Sequence, residues 1–284
     1  MSRENRYNLV NLIVLAAATL WFFTQRMETG LFAGVESTWF LLLVGVVLTN
    51  LFLKFIRIYL IFFEKELSFV ENIKLYCKIV PVSSIFPFKL GELFRMYCYG
   101  YKVGSGVTGV IGVLLDRFVD TAALLTVLFG VTLAAGGGFS AIFCVLAAFA
   151  IVILAAYLLF PQVYRFWNHH LLLTAATRRK LMVLRLLASF DRAYRETSRI
   201  LRGKFMTLYI LSLLAWGTEL GGLFLLCGSQ EDAAIRYLTA VLTGGDFLYG
   251  KQFMVVSLCI CIAIYLILKI RTSAADHKRN GAQV

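Results

Sequence analysis

Long apolar runs separated by short charged segments dominate the chain. A helix needs about 20 predominantly apolar residues to cross about 30 Å of hydrocarbon, and six runs meet that length. We place these spans at about residues 9–25, 38–60, 107–135, 139–160, 205–226 and 253–270. The pattern therefore predicts an all-α, polytopic helical membrane protein, with residues 1–284 forming a single integral membrane domain.

Two stretches between the spans are too polar or too short to cross a bilayer. Residues 66–102 carry a charge every few positions, and Pro81 and Pro87 interrupt their apolar part. Residues 230–251 hold only a short apolar piece. We expect each stretch to be re-entrant or to lie in the interface. Two spans, one insertion and a third span occur twice, which is compatible with an inverted repeat, a recurring transporter plan.

The composition changes this picture little but excludes several classes of protein. Hydrophobic residues make up 60% of the chain and charged residues 15%, whereas about a quarter of a soluble globule is charged. The net charge of +12 comes from basic residues between the spans, without one continuous basic patch. We therefore expect no nucleic-acid partner, and contact with anionic membrane lipids instead.

Positive charge alternates between the segments that connect the spans. One set of segments holds two, eight, ten and four Lys or Arg, and the other set holds one, none and two. Because Lys and Arg accumulate on the cytoplasmic side, we predict a bacterial-type inner-membrane protein with both termini in the cytoplasm. Arg57 is expected to reach back to that surface. Residues 161–204 fit either an amphipathic helix on an anionic leaflet or a solvated linker.

Three charged residues interrupt the third span. Asp116 and Asp120 are four positions apart, and Arg117 is three positions before Asp120. We therefore expect all three to share one stripe of the helix. An ionisable residue deep in a bilayer costs about 2.5–3.5 kcal/mol on insertion scales, which makes a function the default interpretation. We expect Arg117 to lie between the two carboxylates and to offset their repulsion. The alternative is a structural ion-pair clamp that fixes helix packing.

A second group of charges lies in the segment KLGELFR. Lys89, Glu92 and Arg95 follow one another at i+3 positions, after a helix start marked by Pro87. Gly91 allows a close backbone approach. Lys89 and Arg95 would bind a phosphate, while Glu92 orients Arg95. A solvated interfacial helix with ordinary surface pairs is the alternative.

Glu219 lies about 21 Å along the fifth span and has no charged partner within its own helix. We expect it either to meet Arg117 or to be neutral and hydrogen-bonded. Trp216, on the same span, is better explained as a packing residue or an interfacial anchor.

The run P-x-K-x-G-E-x-x-R from Pro87 to Arg95, followed by L-L-D-R-F-V-D from Leu114 to Asp120, carries a resemblance to a known family. It resembles the signature of the lysylphosphatidylglycerol synthase transmembrane-region, flippase-like family. Arg57 is also similar, and the clear resemblance covers about residues 50–130.

That resemblance implies a membrane fold with re-entrant helices and movement of lipids between leaflets. The lipid would be an anionic or aminoacylated phospholipid, or a polyprenyl-linked lipid. Because no counterpart of the soluble aminoacyl-transferase domain is visible, lysyl transfer is not expected. The residues that we expect to bind or transport substrate are Lys89, Gly91, Glu92, Arg95, Asp116, Arg117, Asp120 and Glu219.

Other functions stay open. The sequence contains no H-E-x-x-H motif, nucleophile elbow or Gly-rich phosphate loop, so we predict no metal, no cofactor and no catalytic residue. A polyprenyl-phosphate-dependent glycosyltransferase would use outward-facing acidic residues such as Glu231, Asp232 and Asp246. A non-catalytic scaffold for an envelope-lipid enzyme is the third interpretation. Such an enzyme, or a second copy of the chain, would then be the partner.

Overall fold

The computed structural model describes residues 3–25, 31–32, 36–65, 67–85, 90–134, 136, 141–173, 178–227, 231–243, 245 and 247–281. Helices account for 94% of these residues, and none of them forms a strand. The prediction of an all-helical protein is confirmed.

Ten α-helices lie in the described ranges. They are α1 (Arg3–Gln25), α2 (Ser37–Phe62), α3 (Phe69–Ile85), α4 (Leu90–Lys102), α5 (Gly106–Ala134), α6 (Ala141–Leu173), α7 (Arg178–Leu201), α8 (Phe205–Cys227), α9 (Glu231–Thr243) and α10 (Leu248–Gly281). A 3₁₀ turn over Phe63–Lys65 extends α2.

Four stretches of the described chain are long and apolar enough to cross a membrane, namely Ser37–Lys65, Phe143–Leu171, Phe205–Leu226 and Leu248–Arg271. The chain is therefore a multi-pass membrane protein. The predicted spans in α1 and α5 are not among these four. α5 has 29 residues, but Asp116, Arg117 and Asp120 interrupt its apolar run. That these two helices cross the bilayer stays a prediction.

The fourth predicted span, residues 139–160, lies largely in α6, which continues beyond it to Leu173; where this helix leaves the bilayer stays a prediction. Its second half packs against α7, where the ring of Phe160 stacks on Tyr194 with 5.2 Å between centroids. The following basic segment forms the helix α7, and its placement on an anionic leaflet stays a prediction. Glu196 fixes α7 to its neighbours, since its carboxylate binds Lys65 at the end of α2 and accepts a hydrogen bond from Thr108 Oγ1 at the start of α5.

The predicted re-entrant or interfacial segment 66–102 is a pair of helices, α3 and α4, that pack on each other. Pro81 does not break α3, which runs through it to Ile85. Pro87 lies outside the described residues. A turn with Gly104 in the left-handed region, at φ 75°, leads from α4 into α5. Entry of this pair into the bilayer stays a prediction.

The core is built where α2 packs against α8. In an inverted repeat, α2 would correspond to α8, α5 to α10 and α3 to α9. The contact of α5 with α8 then corresponds to that of α10 with α2, and the contact of α3 with α10 corresponds to that of α9 with α5. The packing is thus compatible with the predicted inverted repeat.

Glycine permits a close crossing of α3 and α4. A Cβ atom added to Gly91 would overlap the Cα atom of Ser83 and lie 2.9 Å from its Cβ atom. The predicted close backbone approach at Gly91 is confirmed. The two helices meet beside Ser83, Glu92 and Arg95, all of which line the cavity described below.

We expect Gly91→Ala to lower the free energy of unfolding by about 1–3 kcal/mol, because the α3 backbone must move to admit the methyl group. Gly45→Ala in α2 is the control. No atom lies within 4 Å of its added Cβ, and alanine is the better helix former by about 1 kcal/mol. Denaturant unfolding of the two variants in detergent micelles measures the difference. Equal stability of Gly91→Ala and the parent would show that α3 and α4 are not closely packed.

Candidate functional site

A cavity of about 510 Å³ lies among α2, α3, α4, α5, α8, α9 and α10. Polar and charged side chains form much of its wall. They are Asn50, Lys54, Arg57, Tyr76, Ser83, Ser84, Glu92, Arg95, Arg117, Asp120, Glu219, Tyr237, Lys251 and Ser257.

Arg57, one of the lining residues, joins α2 to α5 and α8. Its Nε donates to Asp116 Oδ1 at 2.6 Å, and its Nη1 binds the Asp120 carboxylate and donates to Ser212 Oγ at 2.7 Å. The Arg57 side chain is only 4% exposed. The expectation that Arg57 reaches back to the cytoplasmic surface was therefore wrong. Two carboxylates within the protein satisfy its guanidinium, so the side chain has no need of interfacial water.

Asp116 bridges two arginines from different helices. Its Oδ2 accepts a hydrogen bond from Arg95 Nη2 at 2.7 Å, while its Oδ1 accepts from Arg57. Asp116 is fully buried and does not line the cavity. Removing one partner of such a buried network leaves an uncompensated charge. The arrangement thus matches the structural clamp that the sequence left open for Asp116.

Arg117 does not lie between Asp116 and Asp120, and that prediction was wrong. Adjacent residues on a helix differ in direction by about 100°, and Arg57 already occupies the space between the two carboxylates. Arg117 instead binds Glu92 of α4, and its side chain is 45% exposed. Glu92 Oε2 also lies 3.7 Å from Arg95 Nη1, as expected for a residue that orients Arg95.

Glu219 contacts α2 and α9 and, within the described part of the chain, forms its ion pair with Lys54 and not with Arg117. Its Oε2 lies 3.3 Å from Lys54 Nζ and accepts a hydrogen bond from Asn50 Nδ2 at 3.2 Å. Tyr237 donates its hydroxyl to Oε1. Glu219 is thus hydrogen-bonded, as one of the two expectations for it held, while the cation beside it is Lys54 and not Arg117. Trp216 is buried, as expected for a packing residue, and its ring centroid lies 5.7 Å from Lys54 Nζ.

The predicted site residues divide into four groups. Those that line the cavity are Glu92, Arg95, Arg117, Asp120 and Glu219. Asp116 lies behind the wall, Gly91 lies at the crossing of α3 and α4, and Lys89 lies outside the described residues. A role for any of them in binding or transport stays a prediction.

The sequence interpretation missed the contribution of α2. Asn50, Lys54 and Arg57 are spaced at i, i+4 and i+7, so one face of α2 carries all three into the cavity. The signal was present, because each is a polar residue inside an otherwise apolar span. Tyr237 gave no comparable signal, since a tyrosine on a short amphipathic helix is common.

No group of three or more His, Cys, Asp or Glu side chains in the described ranges is placed to hold a metal ion. Three acidic residues were considered above for a glycosyltransferase. Asp246 lies outside the described residues, and Glu231 and Asp232 are described only as the backbone of the first turn of α9.

Comparison with known proteins identifies a family. Residues 8–243 match the family described as the lysylphosphatidylglycerol synthase TM region. This range contains α2, α4, α5 and α8, which carry the ion pairs of the cavity wall. No curated protein and no solved structure matches the chain.

Proposed function

The chain belongs to the lysylphosphatidylglycerol synthase transmembrane-region family, a family tied to lipid and envelope biology, and from this we propose that it moves lipids between the two leaflets of a membrane. The lipid is an anionic or aminoacylated phospholipid, or a polyprenyl-linked lipid. The charged cavity within the helical domain is the observation that carries the proposal. It gives a polar headgroup a place to cross the apolar layer.

The size of the cavity supports a headgroup as its occupant. Pockets for small ligands have volumes of about 300–1,000 Å³, and this cavity has about 510 Å³. A phosphate with a small polar substituent is of that size, whereas two acyl chains are not. The chains therefore stay in the surrounding hydrocarbon while the headgroup is inside.

Arg117 is the cation that first contacts the phosphate. Both Arg57 and Arg95 are buried and bound to Asp116, so their role is to hold the wall. Arg117 has a half-exposed side chain, and within the described part of the chain it forms an ion pair with Glu92. Its planar guanidinium binds phosphate oxygens in a forked arrangement when Glu92 releases it.

A reconstitution experiment tests this function. The purified protein is placed in liposomes that contain a fluorescent phosphatidylglycerol, and a membrane-impermeant quencher reports the label in the outer leaflet. We expect the protein to make label from the inner leaflet accessible, with and without an imposed proton gradient. Liposomes with Arg195→Gln are the control for reconstitution, because Arg195 is exposed on α7 and away from the cavity.

The other interpretations predict different results in the same preparation. An enzyme yields a new lipid species in mass spectra after incubation with a glycosyl donor. A scaffold neither moves nor changes lipid but copurifies with a lipid-synthesis enzyme. Equal label accessibility with folded protein and without protein, in every gradient, contradicts the proposed lipid movement.

A further inference from the structure

The part of the cavity wall where α2 and α8 meet contains a buried hydrogen-bond acceptor, Asn50 Oδ1, to which the described residues supply no donor. Asn50 is 1% exposed and lines the cavity. Its Nδ2 donates to the Ala215 carbonyl oxygen at 2.7 Å and to Glu219 Oε2 at 3.2 Å, which sets the orientation of the amide. No donor in the described part of the chain reaches Asn50 Oδ1.

An amide oxygen in this state is unusual, because most buried polar atoms have a partner. The neighbouring carboxylate has the same preference for donors. Glu219 Oε1 accepts from Tyr237, while Oε2 accepts from Asn50 and Lys54. An ionised carboxylate offers about four acceptor positions, so it has room for one more donor. Asn50 Oδ1 and Glu219 together form an acceptor-rich patch, which we call the acceptor subsite.

We propose that the acceptor subsite binds the hydrogen-bond donors of a lipid headgroup, either hydroxyl or primary ammonium groups. The inference rests on the proposed function, since it requires that a headgroup enters the cavity. The phosphate is bound elsewhere, by the cation Arg117. A headgroup that ends in a methyl or a quaternary ammonium group supplies no donor to the acceptor subsite. The subsite thus selects among headgroups that carry the same phosphate.

Two pairs of lipids isolate this selection from net charge. Phosphatidylglycerol and phosphatidylmethanol are both anionic, but only the first carries hydroxyl groups on its headgroup. Phosphatidylethanolamine and phosphatidylcholine are both zwitterionic, but only the first has N–H donors. With identical acyl chains, binding to the purified protein in micelles is measured by native mass spectrometry. We expect the donor-bearing member of at least one pair to bind about tenfold more tightly, as for one added hydrogen bond.

Asn50→Leu removes the orphan acceptor and should bring the preferred ratio to near one. Asn72→Leu is the matched control. Asn72 is equally buried and accepts a hydrogen bond from Tyr99 at 3.1 Å, yet it does not line the cavity. Asn72→Leu should keep the parent's ratio of affinities within each lipid pair, even if this variant is less stable. A ratio taken within one variant does not depend on the amount of folded protein.

Two results overturn the proposal. One is equal binding of both members of each pair by the parent protein. This result contradicts the proposal even if Asn50→Leu does not fold. The other is an unchanged ratio in folded Asn50→Leu. Failure of lipid movement is a separate result. If the parent prefers donor-bearing lipids but moves none, the acceptor subsite is supported and the proposed function is contradicted. If the parent moves lipids without any preference, the proposed function is supported and the acceptor subsite is contradicted.

Discussion

Arg57→Ala is expected to lower the free energy of unfolding by about 3–5 kcal/mol, the largest effect on stability that we predict. Arg57 holds Asp116 and Asp120 of α5 and also donates to Ser212 of α8. Without the guanidinium, Asp120 loses its ion pair with Arg57, and Arg95 is the ion-pair partner that Asp116 keeps among the described residues. A buried carboxylate without its counter-charge is costly, because neither water nor lipid replaces the lost interaction.

Denaturant unfolding in micelles, followed by tryptophan fluorescence, measures this loss. Arg195→Ala removes an arginine whose side chain is 73% exposed and whose partner Asp191 lies one turn away on the same helix. We expect that variant to change stability by at most about 0.5 kcal/mol. Arg57→Lys should be intermediate, since it keeps the charge but cannot bind both carboxylates in a planar fork. Equal losses for Arg57→Ala and Arg195→Ala would contradict the role of Arg57 as the centre of the network.

Arg117→Gln is expected to reduce lipid movement by about tenfold or more while changing stability by less than about 1 kcal/mol. The side chain is half-exposed and binds Glu92, so its removal leaves the buried network of Arg57, Asp116 and Arg95 intact. The liposome assay measures the rate, and denaturant unfolding measures the stability.

Glu92→Gln distinguishes a binding role of Arg117 from a purely structural one. The carboxylate of Glu92 competes with phosphate for Arg117, so its neutralisation should make anionic lipid bind more tightly. Arg117→Gln should make the same lipid bind more weakly. A pair that only holds α4 to α5 predicts that both variants change binding in the same direction. Native mass spectrometry with phosphatidylglycerol gives the sign for each variant.

Much of the candidate site could be predicted from the sequence, because charged residues occur there in an otherwise apolar chain. Arg117, Asp120 and Glu219 were identified because a charge in an apolar run is expensive, and Glu92 and Arg95 because of their i+3 spacing. All five line one cavity. Lys54, a charged residue, and Asn50, a polar one, interrupt the apolar run of α2 in a similar way. They were overlooked because α2 otherwise has the composition of an ordinary span.

The sequence by itself determined the class of fold. The length of an apolar run and the need to satisfy every backbone group in hydrocarbon leave helices as the structure of those runs. The close crossing at Gly91 was also predictable, since only a residue without a side chain allows it. These properties depend on local composition, which a sequence displays directly.

Only the tertiary structure decided which charges meet. Arg57, 59 positions before Asp116, takes the place that the spacing within α5 had assigned to Arg117, and Lys54 meets Glu219 across 165 positions. Spacing along one helix reports which side chains share its face, but the partner of that face depends on how the helices rotate and pack. That packing follows from the whole set of contacts among α2, α4, α5 and α8, so no single segment of the sequence contains it.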